Sequence, residues 1–185
     1  MLKQQEAELT EGLREKDRVV ISPELPLLIG ELAHRFLEDW NFGDDPTRFR
    51  ATLQPLLDRW VEPSKQENRE HLQRELEEIF DAFFSSAAYR ELSSSQILAR
   101  EVPLLIPWDD GQIMEGVIDL IYEKDELLYL ADYKSDRVRK KDFRDVAQTY
   151  HHQAKIYSTA AKRSLRRDVA AFNLIFLRLG EAIQI

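Results

Sequence analysis

Cysteine is absent from the 185 residues of this sequence. Without thiols the chain forms no disulfide, holds no metal or iron–sulfur cluster through cysteine and performs no thiol catalysis. Long apolar runs are also absent, and the stretch at residues 25–29 is far too short to cross a bilayer. Residues 1–6 lack the apolar core of a signal peptide, so we expect a cytoplasmic protein that does not associate with membranes.

A nucleotide-binding loop is missing as well. The pattern Gly-x-x-x-x-Gly-Lys-[Ser/Thr] does not occur, so this sequence holds no P-loop ATP motor. What the sequence does contain is typical of a globular domain, with 43% hydrophobic and 32% charged residues and no internal repeat. Its length suffices for one domain with a hydrophobic core.

The charge is distributed unevenly along the chain. The formal net charge is −8, yet residues 134–167 contain eleven Lys and Arg against three Asp, a local net charge of +8. The remainder therefore carries −16. A basic face on an acidic body is what a groove that follows nucleic-acid phosphates requires. A solvated helix rich in Lys and Arg is the alternative explanation of the same composition.

Helical patterns occupy the first half of the chain. We predict a charged helical segment or linker over residues 1–21, followed by one domain over residues 22–185. Within that domain the predicted helices cover residues 22–39, 46–60 with a break near Pro55, and 64–84. Apolar residues of the third helix recur at helical spacing, which predicts core packing. Residues 22–92 thus form the helical part of the domain.

Strand patterns begin after residue 95. The predicted strands cover residues 97–106, 112–122, 127–133 and 169–179, and a long helix covers residues 142–165. A turn at residues 108–111 joins the first two strands. Residues 93–185 therefore form an α/β core, in which the last strand–helix–strand passage is a right-handed crossover if its strands are parallel.

Two acidic residues interrupt apolar strands of this core. Alternation places Asp119 on one face with Val117 and Ile121, where a carboxylate costs several kcal/mol unless a cation or hydrogen-bond donors meet it. Asp132 ends the next strand and shares a face with Lys134 by the same alternation, while Tyr133 points to the other face. Two hard carboxylates suit Mg²⁺ or Mn²⁺, and an ammonium beside them can position an attacking water. A structural Asp–Lys ion pair at a sheet edge is the alternative.

Four short motifs carry a resemblance to a known family. The pattern Gly-x-x-Asp at residues 116–119, followed by Asp-Tyr-Lys-Ser-Asp at 132–136, resembles the PD-(D/E)XK nuclease superfamily in its RecB-like branch. Residues 30–34 resemble the Gly-x-x-x-His motif of that branch, and residues 153–157 resemble its Gln-x-x-x-Tyr motif. The branch usually has Thr where this chain has Ser135, and the hydroxyl is retained.

The resemblance implies a restriction-endonuclease-like α/β core, a central mixed β-sheet flanked by helices, with an N-terminal helical region. It implies a catalytic set of Asp119, Asp132 and Lys134, and a metal set of His34, Asp119, Asp132 and the backbone carbonyl of Tyr133. Glu101 matches an acid of the family and supports the metal through water or caps a strand. The supporting or DNA-binding residues that we predict are Gln153, Tyr157, Arg137, Arg139, Lys140 and Lys141. Tyr150 continues the helical stripe of Gln153 and Tyr157, which ordinary packing also explains.

We therefore predict a nuclease domain that hydrolyses DNA with Mg²⁺ or Mn²⁺, exonucleolytically on single strands, in recombination and repair. Because it has no cysteine, the chain resembles the members of the branch that carry no iron–sulfur cluster, which are the nuclease domains of AddA- and RecB-type helicase–nucleases. A helicase is then expected as a separate subunit or as another part of the same polypeptide. The alternatives are a catalytically weak DNA-binding or scaffolding module of such a complex, and a structural α/β protein with no nucleic-acid role.

Overall fold

The computed structural model describes residues 24–61, 66–107 and 113–185. Its helices are α1 (Glu24–Asp39), a 3₁₀ turn at Pro46–Arg48, α2 (Phe49–Trp60), α3 (Gln66–Phe84), α4 (Ala87–Ser93), α5 (Phe143–Gln148) and α6 (His151–Leu165). Its strands are β1 (Gln96–Pro107), β2 (Ile113–Lys124), β3 (Leu127–Lys134), β4 (Val169–Phe176) and β5 (Glu181–Gln184). The segment predicted over residues 1–21 and the turn predicted at 108–111 lie outside the described residues.

The five strands form one mixed sheet in the order β1-β2-β3-β4-β5. Strands β3 and β4 are parallel, and the other neighbours are antiparallel. The connection from β3 to β4 passes through α5 and α6. The expected crossover depended on a parallel pairing of these two strands, and that pairing is confirmed. The predicted fold class, a central mixed sheet flanked by helices with a helical region before it, is confirmed.

Helices cover both faces of the sheet. One apolar cluster joins α1 to α4 with Leu177, which directly follows β4, and with the sheet residues Leu120, Tyr122, Ala131, Tyr133 and Ile175. A second cluster joins α5 and α6 with the opposite face of the sheet. The five apolar residues predicted for the core of the third helix are fully buried: Leu72, Leu76, Ile79, Phe80 and Phe83. Each such side chain stabilises the fold by about 1.5–3 kcal/mol relative to an exposed one. Across the described part of the chain, no helix is long and apolar enough to cross a membrane.

Two predicted helices differ from the structure. Helix α2 continues through Pro55 without the expected break. Pro55 and Ala51 are both exposed, so the carbonyl that loses its helical partner can bind water. The helix predicted over residues 142–165 is instead two helices, because Thr149 and Tyr150 donate to the carbonyls of Val146 and Ala147, three residues back, and end α5. Tyr150 then occupies the N-cap position of α6, without a capping hydrogen bond from its side chain.

The C-terminal strand is shorter than predicted, and a further strand follows it. Strand β4 ends at Phe176, and the turn that follows contains Gly180 at a φ of 61°, a conformation that favours glycine. A Cβ at Gly180 would lie 2.7 Å from the carbonyl oxygen of Ala82, so the turn also packs against α3. The sequence analysis missed β5 and the short helix α4, which Ser86 caps by accepting from the backbone N–H of Tyr89.

Candidate metal centre

Strands β2 and β3 separate at the candidate site. Their pairing runs from Lys124 and Leu127 to Leu120 and Ala131 and ends there. Just beyond this point the backbone N–H of Tyr133 donates to Asp119 Oδ2 at 2.7 Å. Asp119 is only 7% exposed, so this hydrogen bond compensates part of the cost of burying its carboxylate.

Regular alternation fails along β2 next to Asp119. Ile118 packs in the cluster of α5 and α6, but Leu120, two residues later, packs in the cluster of α1 to α4. Asp119 contacts α1 whereas Ile121 packs beside α5 and α6, so the prediction that these two share a face is wrong. The neighbouring strand is distorted at the same level: Glu101 has a φ of 47° and has no pairing partner on β2, although Arg100 and Val102 on either side keep one register.

Alternation does hold on β3. Lys134 Nζ lies 2.9 Å from Asp132 Oδ2, as expected for two side chains on one face. The ring of Tyr133 packs edge-on against Phe83 of α3 in the opposite cluster. The predicted orientation of these three side chains is therefore confirmed.

His34 reaches this point from α1. Its Nε2 lies 3.1 Å from the backbone carbonyl oxygen of Tyr133. Its Nδ1 lies 3.5 Å from Asp119 Oδ2 and 3.8 Å from Glu101 Oε1. The structure thus brings together four groups that the sequence analysis had assigned to a metal site or its support, from α1, β1, β2 and β3.

The carboxylate of Glu101 lies close enough to His34 and Asp119 to bind the same metal ion. Ligand atoms of His34, Glu101 and Asp119 all lie within 4.8 Å of one another, a geometry that could hold a metal ion. Asp132 is not a member of this cluster, although the resemblance makes it a ligand. The left-handed backbone at Glu101, which no local motif signals, turns its carboxylate toward His34.

Asp132 has its own set of neighbours on the α6 side of the sheet. Gln153 Nε2 donates to Asp132 Oδ1 at 3.4 Å, a long hydrogen bond, and Lys134 holds Oδ2. The Lys134 ammonium also lies 4.1 Å from the ring centre of Tyr150, a cation–π contact. Tyr150, which lies at the break between α5 and α6, therefore contacts the catalytic candidate Lys134. The sequence analysis had left ordinary packing as an equally good explanation of this tyrosine.

Two motif glycines allow close approaches around the site. A Cβ at Gly30 would lie 3.0 Å from the hydroxyl oxygen of Ser135, so α1 contacts the turn after Lys134 at that residue. A Cβ at Gly116 would lie 2.6 Å from the hydroxyl oxygen of Tyr157. The Gly-x-x-x-His and Gln-x-x-x-Tyr motifs thus pack directly against the hairpin motif.

The charges of the centre shift two pKa values. Burial alone would lower the pKa of His34, but the nearby carboxylates of Asp119, Glu101 and Asp132 together outweigh burial and raise the pKa to about 10. Burial raises the pKa of Asp132 to about 6, against the lowering effect of the Lys134 charge. At neutral pH and without a metal ion, His34 is therefore an imidazolium that donates to the Tyr133 carbonyl and forms ion pairs with Asp119 and Glu101.

The donor set fits a divalent cation. With a neutral imidazole, the carboxylates of Asp119, Asp132 and Glu101 and the ammonium of Lys134 leave a net charge of −2. Carboxylate and carbonyl oxygens suit Mg²⁺ and Mn²⁺, and an imidazole nitrogen in the set suits transition metals better. Without a metal ion, the protonated ring of His34 supplies positive charge beside the carboxylates of Asp119 and Glu101.

We predict that metal binding displaces the His34 proton. The apparent Mn²⁺ affinity should rise about tenfold per pH unit from about pH 6.5 to about pH 8.5, because the ligand must be deprotonated. Calorimetry in buffers of different ionisation enthalpy should detect release of about one proton per ion. A pH-independent affinity above neutrality would show that His34 is already neutral.

The same pKa shift has a consequence for the metal-free fold. Because the folded-state pKa of about 10 lies above the ordinary value of 6.5, the protonated ring stabilises the fold below pH 6.5. This contribution is lost as the pH rises toward 10.

The predicted phosphate-binding residues lie in the turn after β3. Three of them form ion pairs: Arg137 with Glu75 at 2.5 Å, Lys140 with Glu181 at 2.8 Å, and Arg139 with Asp142. Lys141 is exposed. The three paired side chains remain 63–76% exposed, and such surface pairs are worth only about 0–1 kcal/mol, so a phosphate could compete for them.

Sequence reasoning missed two charged residues behind the site, Glu75 and Arg178. Both side chains are largely buried, and they lie 2.8 Å apart. Glu75 stands at helical spacing within the apolar stripe that includes Leu72 and Ile79, and Arg178 directly follows the apolar run of β4. An acid on the apolar face of a helix was the signal that could have identified the pair.

Comparison with known proteins agrees with this geometry. The family model of the PD-(D/E)XK nuclease superfamily matches residues 6–184. The A-subunit of the ATP-dependent helicase/nuclease from Staphylococcus carnosus is 26% identical over 171 residues, which cover 82% of this chain and 14% of that protein. The corresponding helicase/nuclease chain of Listeria monocytogenes serotype 4a is 27% identical over 165 residues, or 80% of this chain and 13% of that protein.

The chain thus spans about one seventh of the length of these relatives. Its family match, in contrast, extends over almost all of its own residues, and the four motifs meet around one centre. On this evidence the chain belongs to the PD-(D/E)XK nuclease superfamily and resembles its RecB-like branch.

Proposed function

We propose that this chain is a metal-dependent nuclease domain that hydrolyses phosphodiester bonds of DNA. The observation that carries the proposal is the cluster of His34, Glu101 and Asp119 beside the Asp132–Lys134 pair. A cation-binding set with an adjacent ammonium is the arrangement that phosphodiester hydrolysis uses. Mg²⁺ is the ion we propose for the cell, and Mn²⁺ is a useful probe because the set includes an imidazole.

Each residue has a distinct part in the proposed reaction. His34, Asp119, Asp132 and the Tyr133 carbonyl would hold the ion, with Glu101 binding it directly or through water. When bound, the ion would supply Lewis-acid activation of the water and the scissile phosphate. Lys134 would hold the attacking water in line and neutralise the charge that develops on the phosphate oxygens.

Two residues of α6 would orient this machinery. Gln153 donates to Asp132 and restricts its rotation, and its Oε1 is a buried acceptor with no hydrogen-bond partner in the described ranges. A buried polar atom of this kind normally has a partner, which a substrate or water would provide here. Tyr157 closes the site against Gly116 on the same side of the sheet.

We further propose exonucleolytic action on single strands, next to a helicase, in recombination and repair. The support is the relatives' own description as helicase/nuclease subunits, together with the absence of a P-loop from this sequence. A helicase would deliver unpaired strands to the site, from another part of the same polypeptide or from a partner subunit. We propose that residues 22–185 form the single nuclease domain that receives them.

The direct test is an assay of the purified chain on end-labelled single-stranded, duplex and circular single-stranded DNA. We expect cleavage of linear single strands with Mg²⁺ or Mn²⁺, none with EDTA, and no cutting of circles. Cleavage of circular DNA, which has no end, would show endonuclease action and contradict the proposed exonuclease action. DNA binding without cleavage under any metal would favour the catalytically weak scaffolding module instead.

A second test concerns the basic turn. If Arg137, Arg139, Lys140 and Lys141 contact phosphates, changing all four to Gln should weaken DNA binding about equally for every sequence. The slope of log affinity against log salt should also decrease by roughly 0.7 for each phosphate that the variant no longer neutralises on single strands. Cleavage at saturating DNA should persist, because none of these side chains belongs to the proposed metal set.

The matched control changes four other exposed cations of the same charge, in and just after α6: Lys162, Arg163, Arg166 and Arg167, again to Gln. We expect this control to keep the parental salt slope. If the control lowers the slope and the first variant does not, DNA follows α6 and the basic turn is only a solvated surface.

A further inference from the structure

A buried ion cluster lies behind the turn that follows Lys134. Glu75 of α3 is 9% exposed, and its Oε2 lies 2.8 Å from Nη1 of Arg178. Its Oε1 lies 2.5 Å from Nη2 of Arg137. The Arg178 side chain is only 13% exposed and that of Arg137 is 66% exposed, so one contact is buried and the other is at the surface.

Stability alone does not explain a charge at Glu75. Burial by itself would raise the pKa of Glu75, but the charges of Arg178 and Arg137 outweigh burial and lower it below its usual range. The carboxylate is therefore ionised among fully buried apolar neighbours of α3 such as Leu72 and Leu76. Desolvation offsets the attraction in such pairs, and apolar side chains of similar volume often replace them without loss of stability.

The pair is explained better by what it holds. Arg178 Nε donates to the backbone carbonyl of Ser135 at 2.7 Å, while its Nη1 contacts Glu75. The next contact is at Lys134, whose carbonyl accepts from the backbone N–H of Leu177 at 2.9 Å. On the other side, the Ser135 hydroxyl packs against Gly30 of α1. The backbone that carries Lys134 is thus held by α1, α3 and the segment after β4.

We propose that Glu75 and Arg178 are positioning residues for the nuclease reaction: Glu75 orients the Arg178 guanidinium, which holds the Ser135 carbonyl and so orients Lys134. This inference rests on the proposed function for its kinetic consequences. The fork of the arginine is essential to it, because a guanidinium donates in two fixed directions at once and an ammonium does not.

The first experiment changes Arg178 to Lys. The lysine keeps the charge beside Glu75 but cannot hold both partners with the same geometry. We expect kcat to fall about 10- to 100-fold, the range for losing an outer support of a site, with little change in KM or melting temperature. The control is Arg69→Lys, which alters a similarly buried arginine of α3 that pairs with Asp58 at 2.6 Å, and it should keep the parental kcat.

The second experiment separates positioning from stability. The double variant Glu75→Leu/Arg178→Met removes both buried charges and should recover the melting temperature that Glu75→Leu alone loses. If the pair positions Lys134, kcat stays low in the double variant, because nothing holds the Ser135 carbonyl. Recovery of both melting temperature and kcat would overturn the proposal.

A third measurement does not depend on cleavage. In Arg178→Lys, amide hydrogen exchange should increase in peptides covering residues 134–138 and stay parental elsewhere. Unchanged exchange in that segment would overturn the proposal even if activity falls. If the parent protein does not cleave DNA at all, the proposed function fails, and the exchange result alone then decides whether the pair holds the turn.

Discussion

Changing Lys134 to Ala is expected to lower kcat for metal-dependent DNA cleavage by at least about 10²–10³-fold. The Lys134 side chain is 14% exposed and lies between Asp132 and the ring of Tyr150, so its ammonium has one orientation in a partly dehydrated site. A preoriented charge in such a site stabilises developing negative charge without reorganising when the reaction occurs. Water that fills the space left by alanine would have to reorganise.

Asp132→Ala should cause a loss of similar size for a different reason. Its carboxylate supplies one proposed ligand and also holds Lys134 at 2.9 Å, so both the ion and the ammonium lose orientation. Effects of groups that act together are not additive, and the double variant Asp132→Ala/Lys134→Ala should be only slightly slower than either single variant.

The control for both is Lys124→Ala. Lys124 also pairs with an acid, Glu91, at 3.0 Å, but it lies on β2 at the other end of its pairing with β3. The Lys124→Ala variant should keep the parental rate.

The Lys134→Ala variant should also remain folded. Removal of Lys134 leaves the buried Asp132 without its cation, and a carboxyl group in that environment takes up a proton rather than unfolding the chain. Melting temperatures should therefore remain close to the parent. Parental rates in both site variants would refute the assignment.

The second large effect is expected on metal affinity. Asp119→Asn and His34→Ala should each weaken Mn²⁺ binding by more than about 100-fold, since even outer partners of metal ligands cost 10- to 100-fold. An amide is a poorer ligand for a hard cation than a carboxylate. The Asn side-chain oxygen can still accept from the Tyr133 backbone N–H, so the strand junction should persist in that variant.

Stability separates the two interpretations of His34. A ligand role predicts that His34→Ala weakens Mn²⁺ binding more than it lowers the melting temperature. Some loss of melting temperature is expected without metal, because the protonated ring is a counter-charge for Asp119 and Glu101. His151→Ala, in an exposed histidine at the start of α6, is the control and should change neither. A large loss of melting temperature with unchanged Mn²⁺ affinity would make His34 a structural residue.

Local chemistry alone accounted for much of this molecule. The period of two on β3 predicted that Asp132 and Lys134 share a face, and the helical period predicted the buried stripe of α3. Periodicity succeeds there because the burial of each side chain depends on its own element lying against one core. The small size of Gly30 permits the close approach of Ser135, but no local rule names that partner.

The tertiary structure decided what those local rules could not. Glu101 has a left-handed backbone within its strand, and its carboxylate and that of Asp119 both lie beside His34 of α1. The cation–π contact of Tyr150 likewise joins α6 to Lys134, a residue on another element of the fold. Sequence periodicity predicts which side chains share a face of one helix or strand. The site instead combines α1, β1, β2, β3 and α6, and its geometry depends on how far each of these elements departs from its ideal geometry. The sequence therefore indicated the residue types of the site, but the packing of distant elements determined which of their atoms are in contact.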